Sequence, residues 1–245
     1  MRVEVAITSD FICPWCLVGE RRLRKAIATL PSDITVSLTF RPFELNPDMP
    51  PEGRDRESYR VAKFGLARSQ AMDAQMTELG RAEGISFVYD KITRTPSTFA
   101  AHRLMWLAER EGEPEKLADL LFTAYFSKAE DIGNPAALAR LAAEAGIASN
   151  RAAAFLAVEE GVKDVRALEL EAYRAGISGV PISASGASRS SARRRQRSSL
   201  MRCAALPASR PRRPRPRAPP RIRTSPRDDA ASACRGVPKR RPDSL

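Results

Sequence analysis

The stretch SDFICPWCLVGERRL, residues 9–23, sets two cysteines two residues apart around a Pro-Trp pair, at the junction of an apolar strand and a helix. Upstream, Val3, Val5 and Ile7 alternate with Glu4 and Ala6, the period of two that marks a strand. Downstream, Leu17, Leu23, Ile27 and Leu30 suit one helical face. Pro14 fits the first helical position, where its missing N–H costs nothing. Cys13 therefore falls at or near the N-cap, its sulfur facing the positive end of the helix dipole. That placement favours the thiolate, which is the nucleophilic form of cysteine. Cys16, one turn further in, is within reach of Cys13 and can resolve a mixed disulfide. Trp15 shapes the rim of such a site. The chemistry that fits is dithiol-disulfide exchange.

Other uses of the pair fit less well. Zinc wants about four ligands, and His102, Cys203 and Cys234 offer no second paired knuckle. Haem attachment needs a histidine at position 17, which is Leu17. The strand before and helix after the pair argue against incidental core cysteines. No metal and no organic cofactor is expected.

Beyond the first helix, Ile34, Val36, Leu38 and Phe40 alternate as a second strand that ends in RPFELNPDMPPEG, residues 41–53. Residues 1–55 thus read as a βαβ unit. Residues 56–160 read as a helical insertion, with no convincing strand between 56 and 174. Leu117, Leu120, Leu121, Ala124 and Tyr125 sit at helical spacing. So do Leu138, Leu141, Ala142 and Ala145, after Asn134 and Pro135 as a start and before Gly146 as a stop. Residues 161–181 hold a return helix over 162–174, stopping at Gly176, and a turn at Gly179, Val180 and Pro181.

Composition then changes abruptly. Of the 245 residues, with a net charge of +12, the last 64 carry 18 basic against 3 acidic side chains and no aromatic residue. Arg, Ser, Ala and Pro make up 47 of those 64, too little apolar surface to offset the entropy of ordering. Residues 182–245 are therefore expected to be a disordered basic tail, able to bind nucleic acid through phosphate charge with little sequence choice. No run approaches the roughly 20 apolar residues of a membrane span. The first ten residues alternate as a strand rather than forming a signal peptide, so a cytoplasmic protein is expected. In that reducing compartment a close cysteine pair is more often catalytic than structural.

The sequence closely resembles the cytoplasmic, DsbA-like (FrnE-like) thioredoxin-fold oxidoreductases. The resemblance is carried in order by SDFICPWCLVGERRL, RPFELNPDMPPEG, KFG (63–65), TPSTFAAHRLMWLA (95–108), LFTAYFSKAEDIG (121–133) and AGISGVP (175–181). It implies an α/β, thioredoxin-like fold interrupted by an all-helical domain, with Cys13 as nucleophile and Cys16 as resolving thiol. It implies further that Pro181 is a cis-proline facing the disulfide and that the Val180 backbone pairs with an extended substrate, Pro14 and Trp15 completing the binding rim. Protein or small-molecule disulfides and thiols, glutathione among them, are the implied partners. His102, the single histidine, reads as a core residue on an apolar helix, and Glu44 as a strand-end residue held by backbone contacts; both stay outside the catalytic set.

The pattern departs from this family after Pro181, where a ββα unit should close the sheet and ISASGASRSSARRRQRSS stands instead. That unit is read as missing. The tail's GC-rich codon types, with 17 Arg against one Lys, are what out-of-frame reading gives. Kappa-class glutathione transferases and 2-hydroxychromene-2-carboxylate isomerases resemble the same fold, but usually with Ser where Cys13 stands.

Overall fold

Strand β1 (Arg2–Ser9) occupies the middle of a three-stranded sheet. On one side it runs parallel to β2 (Thr35–Pro42), placing Val5 opposite Leu38 and Ile7 opposite Phe40. All four of these side chains are buried, as the alternation requires. Parallel neighbours need a crossover, and helix α1 (Pro14–Ala28) supplies it. On its other side β1 pairs antiparallel with β5 (Ile182–Ala187), Ile7 opposite Ser183. This computed structural model describes residues 1–187.

Between β2 and β5 the chain is helical apart from one small ladder. The order is β3 (Arg54–Asp55), α2 (Arg56–Phe64), α3 (Leu66–Glu83), β4 (Arg94–Thr95), α4 (Phe99–Glu111), α5 (Pro114–Lys128), α6 (Pro135–Glu144), α7 (Ser149–Ala157) and α8 (Val162–Arg174). Local chemistry sets several starts. Asn134 caps α6 by accepting from the Ala136 N–H at 2.8 Å ahead of Pro135, and Asp55 caps α2 through the Ser58 N–H at 2.8 Å. Helix α4 is the axis of the insertion, with Ala101, Leu104, Leu107 and Ala108 fully buried. Leu117, Leu121, Leu138 and Leu141 surround it with no exposed surface. Each such leucine contributes about 1.5–3 kcal/mol by leaving water. One continuous core joins these helices to the sheet. Among the described residues, no helix is long and apolar enough to cross a membrane.

Three expectations need correction. Helix α1 stops at Ala28, so Leu30 is 41 % exposed and does not extend the apolar face, because Pro31 follows and the chain turns through a Leu30 N–H to Ile27 O bond. The two-residue strands β3 and β4 pair antiparallel inside a region read as purely helical; a ladder that short leaves no periodicity to detect. Most consequential, Ile182 to Ala187 form a strand where the tail was expected to begin. Backbone pairing with β1 orders these small residues although they lack an apolar alternation, since strand propensity follows context. The first strand of the closing unit is therefore present, and the expectations for residues 188–245 lie outside the described residues.

Candidate active site

The end of β1 carries Ser9 and Asp10 into the core and then turns. Asp10, fully buried, holds that turn three ways. Its carbonyl accepts the Cys13 N–H at 3.0 Å, one carboxylate oxygen accepts the Ile12 N–H at 3.4 Å, and the other accepts the Leu45 N–H at 2.7 Å. Phe11 anchors the loop against the insertion, its ring 5.2 Å from Phe122 and 5.0 Å from the His102 imidazole. The turn leaves Cys13 with extended backbone angles as the N-cap of α1 and Pro14 in the first helical turn. No acidic side chain sits in that turn to cancel the positive end of the helix dipole.

Cys13 and Cys16 are both free thiols, 4 % and 2 % exposed. The Cys16 N–H closes onto the Cys13 carbonyl at 3.0 Å. Burial pushes the Cys16 thiol well above its ordinary pKa, and its hydrogen bond with Cys13 adds to the rise. Cys16 thus holds its proton at neutral pH. The Cys13 Sγ–H reaches the Val180 carbonyl oxygen at 3.9 Å, and the bond from Val180 to Pro181 is cis. Pro181 lies over Gly19 of α1, where a Cβ would meet its Cγ at 3.2 Å. Trp15 is half-buried against the core. The structure therefore gathers Cys13, Pro14, Cys16, Val180 and Pro181 around one point, with Trp15 in the same turn.

Sequence reasoning missed a charged layer beside the thiols. Glu44, directly before the Leu45 that binds Asp10, is 3 % exposed and forms an ion pair with Arg166 of α8. It is held by this guanidinium rather than by the backbone contacts expected of it. Arg166 also binds Glu169 at 2.7 Å and lies 3.7 Å above the Phe99 ring. Burial pushes Glu44 up to about 7; Arg166 opposes the shift and Glu169 reinforces it. His102 is 3 % exposed, with Nε2 3.8 Å from the Asp10 carboxylate. One signal was available: Glu169 stands on the same face of α8 as the apolar Val165 and Ala172, with Arg166 three residues before it. Among the described residues, no group of three or more His, Cys, Asp or Glu is disposed to hold a metal ion.

Compared with known proteins, residues 4–192 match the DSBA-like thioredoxin domain. The chain belongs to this family. Within it, a probable DsbA oxidoreductase of Streptomyces coelicolor is 33 % identical, with a TM-score of 0.67 over 75 % of this chain and 80 % of that one. Two solved structures share the fold at lower identity. The cytosolic disulfide reductase DsbM of Pseudomonas aeruginosa, solved also with GSH, is 15 % identical at a TM-score of 0.57, over 81 % of this chain and 89 % of that one. A 2-hydroxychromene-2-carboxylate isomerase is 13 % identical at 0.57, over 74 % and 84 %. The DSBA-like, thioredoxin-type fold with its helical insertion is thus the fold of this chain.

Proposed function

We propose that this chain is a cytoplasmic thiol-disulfide oxidoreductase acting through Cys13 and Cys16 on protein or small-molecule disulfides. The observation that carries this reading is the free Cys13 thiol at the N-cap of α1, facing the Val180 carbonyl at 3.9 Å. The Cys13 thiolate attacks one sulfur of a substrate disulfide, and the other sulfur leaves as a thiolate that is then protonated. Cys16, after losing its proton, attacks Cys13 and expels the second substrate sulfur. The pair ends oxidised by two electrons and the substrate ends as two thiols; the reverse sequence oxidises a dithiol. No metal or organic cofactor enters. Val180 offers its backbone to an extended substrate, and Pro14, Trp15 and Pro181 bound the site. The DsbM structure with GSH makes glutathione a reasonable small partner to test.

The test is a pair of variants assayed for reduction of insulin and of oxidised glutathione. Cys13→Ser is expected to abolish exchange, and Cys16→Ser to accumulate a mixed disulfide at Cys13. The shared fold with the isomerase frames the second reading, which predicts isomerase turnover that survives Cys16→Ser.

A further inference from the structure

We infer that the outer edge of β2 is a self-association surface, on which a second copy of this chain pairs its own β2 antiparallel about a two-fold axis through Ser37. The inference is independent of the exchange chemistry and starts from backbone polarity. In a strand of a parallel pair, alternate residues turn both N–H and C=O toward one neighbour, and the residues between turn both away. Thr35 donates its N–H to the Met1 carbonyl at 2.9 Å, so the odd-numbered residues of β2 face β1. Val36, Leu38 and Phe40 therefore present their backbone groups to the opposite side. The Phe40 N–H, donated to the Glu109 carboxylate at 2.7 Å, agrees with this parity.

Both ends of this outer edge are closed. At one end the Ile34 N–H is donated to the Pro31 carbonyl at 2.9 Å; at the other Glu109 takes the Phe40 N–H, and Arg41 and Pro42 follow. A charge or a proline is how soluble proteins guard an edge strand. Between these guards, residues 35–39 read TVSLT, with neither. Among the described residues, no strand pairs with this side of β2 and no group binds the N–H or C=O of Val36 or Leu38. Each chain thus leaves four strong hydrogen-bonding groups open beside a Leu38 that is only 9 % exposed. A cleft of about 610 Å³ opens alongside Ser37 and Leu38, so a partner can reach them.

Charge around the cleft selects the occupant. Arg21 pairs with Asp119 at 2.5 Å, Arg24 with Glu115 at 3.1 Å and Lys116 with Glu113 at 3.4 Å. Three cations balance three anions, so this rim favours neither a polyanion nor a strongly basic chain. A neutral surface of mixed sign is complementary to itself under a two-fold axis, as a contact between identical patches requires. The open groups also fix the register. Facing residues of an antiparallel pair exchange N–H to C=O bonds in both directions. With the Ile34 and Phe40 N–H groups taken, Val36 must face the partner subunit's Leu38, and Leu38 the partner subunit's Val36. This register uses all four open groups of each copy. It puts Ser37 opposite the partner subunit's Ser37 as a pair without hydrogen bonds, its Cα atoms about 4.5 Å apart. The joined sheet runs β5-β1-β2-β2-β1-β5, and the two β1 strands point their Cys13 ends in opposite directions, which leaves both dithiols open.

The experiment follows hydrogen exchange of the Val36 and Leu38 amides in the wild-type full chain from micromolar to millimolar concentration, alongside its mass by sedimentation equilibrium. Exchange at both amides should slow at least tenfold as the mass rises from one chain to two. A chain that stays monomeric at millimolar concentration overturns the inference. Protection that is the same at every concentration also overturns it, since the chain's own residues then cover the edge. Protection that appears only on adding unfolded insulin B chain overturns it too, and assigns the edge to a different extended strand. The register is tested by oxidative cross-linking of Ser37→Cys in full chain whose Cys13, Cys16, Cys203 and Cys234 are replaced by Ser. A disulfide needs Cα atoms about 4.4–6.8 Å apart, which the paired Ser37 positions meet. Two copies of Thr35 stand roughly 13 Å apart in this register, at about 3.3 Å per residue. Ser37→Cys should therefore cross-link at least tenfold faster than Thr35→Cys, and equal rates in a dimeric sample overturn the assigned pairing.

Discussion

Gly19 is the point where α1 and the loop before β5 touch, and enlarging it should separate stability from activity. In Gly19→Ala the new Cβ stands 3.2 Å from Pro181 Cγ and 3.7 Å from its Cβ, a few tenths of an ångström inside the contact distance of about 3.5–4.0 Å between carbon atoms. Two effects oppose. Alanine in a helix interior is favoured over glycine by about 1 kcal/mol, whereas forcing a methyl into a filled contact costs about 1–3 kcal/mol. The expected net change lies between neutral and about 2 kcal/mol of destabilisation. The strain has one outlet. Leu17 and Val18 fix α1 in the core at 2 % exposure each, while Pro181 is only half-buried, so the loop gives way. Val180 moves with it, and its carbonyl is already 3.9 Å from Cys13 Sγ, where a further few tenths removes the contact. Urea unfolding of Gly19→Ala should therefore show a loss of no more than about 2 kcal/mol while mixed-disulfide formation at Cys13 slows, and Gly19→Val, with two further methyls, should slow it more. Wild-type exchange rates in both variants would refute the claim that this contact positions the site.

Further predictions concern charge. Glu44 titrates at about 7 in the folded chain against an ordinary 4.5, so between those values the folded state holds a proton that the unfolded state has released. Stability should accordingly fall as pH rises through that window, and Glu44→Gln should flatten the slope in urea-unfolding titrations; a slope shared by both proteins would contradict the assignment. Arg103, 7 % exposed, donates to the Phe155 carbonyl at 3.0 Å and the Glu160 carbonyl at 2.8 Å, closing the end of α7. Arg103→Ala orphans those carbonyls and should cost about 2–4 kcal/mol, read by urea unfolding. All 17 arginines of the basic segment lie beyond residue 187, so the full chain should bind DNA at low salt and release it steeply as salt rises. A chain of residues 1–187 should bind none, and retention of binding by that truncated chain would place the phosphate contacts elsewhere.

How much of this was legible in the sequence depended on whether the deciding interaction is local. The turn at Cys13 was readable because Pro14 and the periodic residues around it act within one helical turn. The α6 start at Asn134 and Pro135 was readable for the same reason. The layer beneath the thiols was not, since Asp10, Glu44, His102 and Arg166 come from four separate segments and meet only in the folded chain. Taken alone, Glu44 reads as a strand-end carboxylate and His102 as a core residue; their significance is the sum of buried charge, which no single window contains. Strand β5 shows the opposite failure. Composition placed ISASGA with the tail, because Ser, Ala and Gly supply little apolar area. Yet a strand joining an existing sheet needs mainly backbone partners, and β1 offers a full edge from Val3 to Thr8. Leaving that edge open would expose unpaired N–H and C=O groups beside the buried Val5 and Ile7, the configuration that promotes aggregation. The demand for this strand comes from β1, and that demand is already written in the alternation of Val3, Val5 and Ile7. A reading that asked what β1 requires, rather than what residues 182–187 contain, finds the strand.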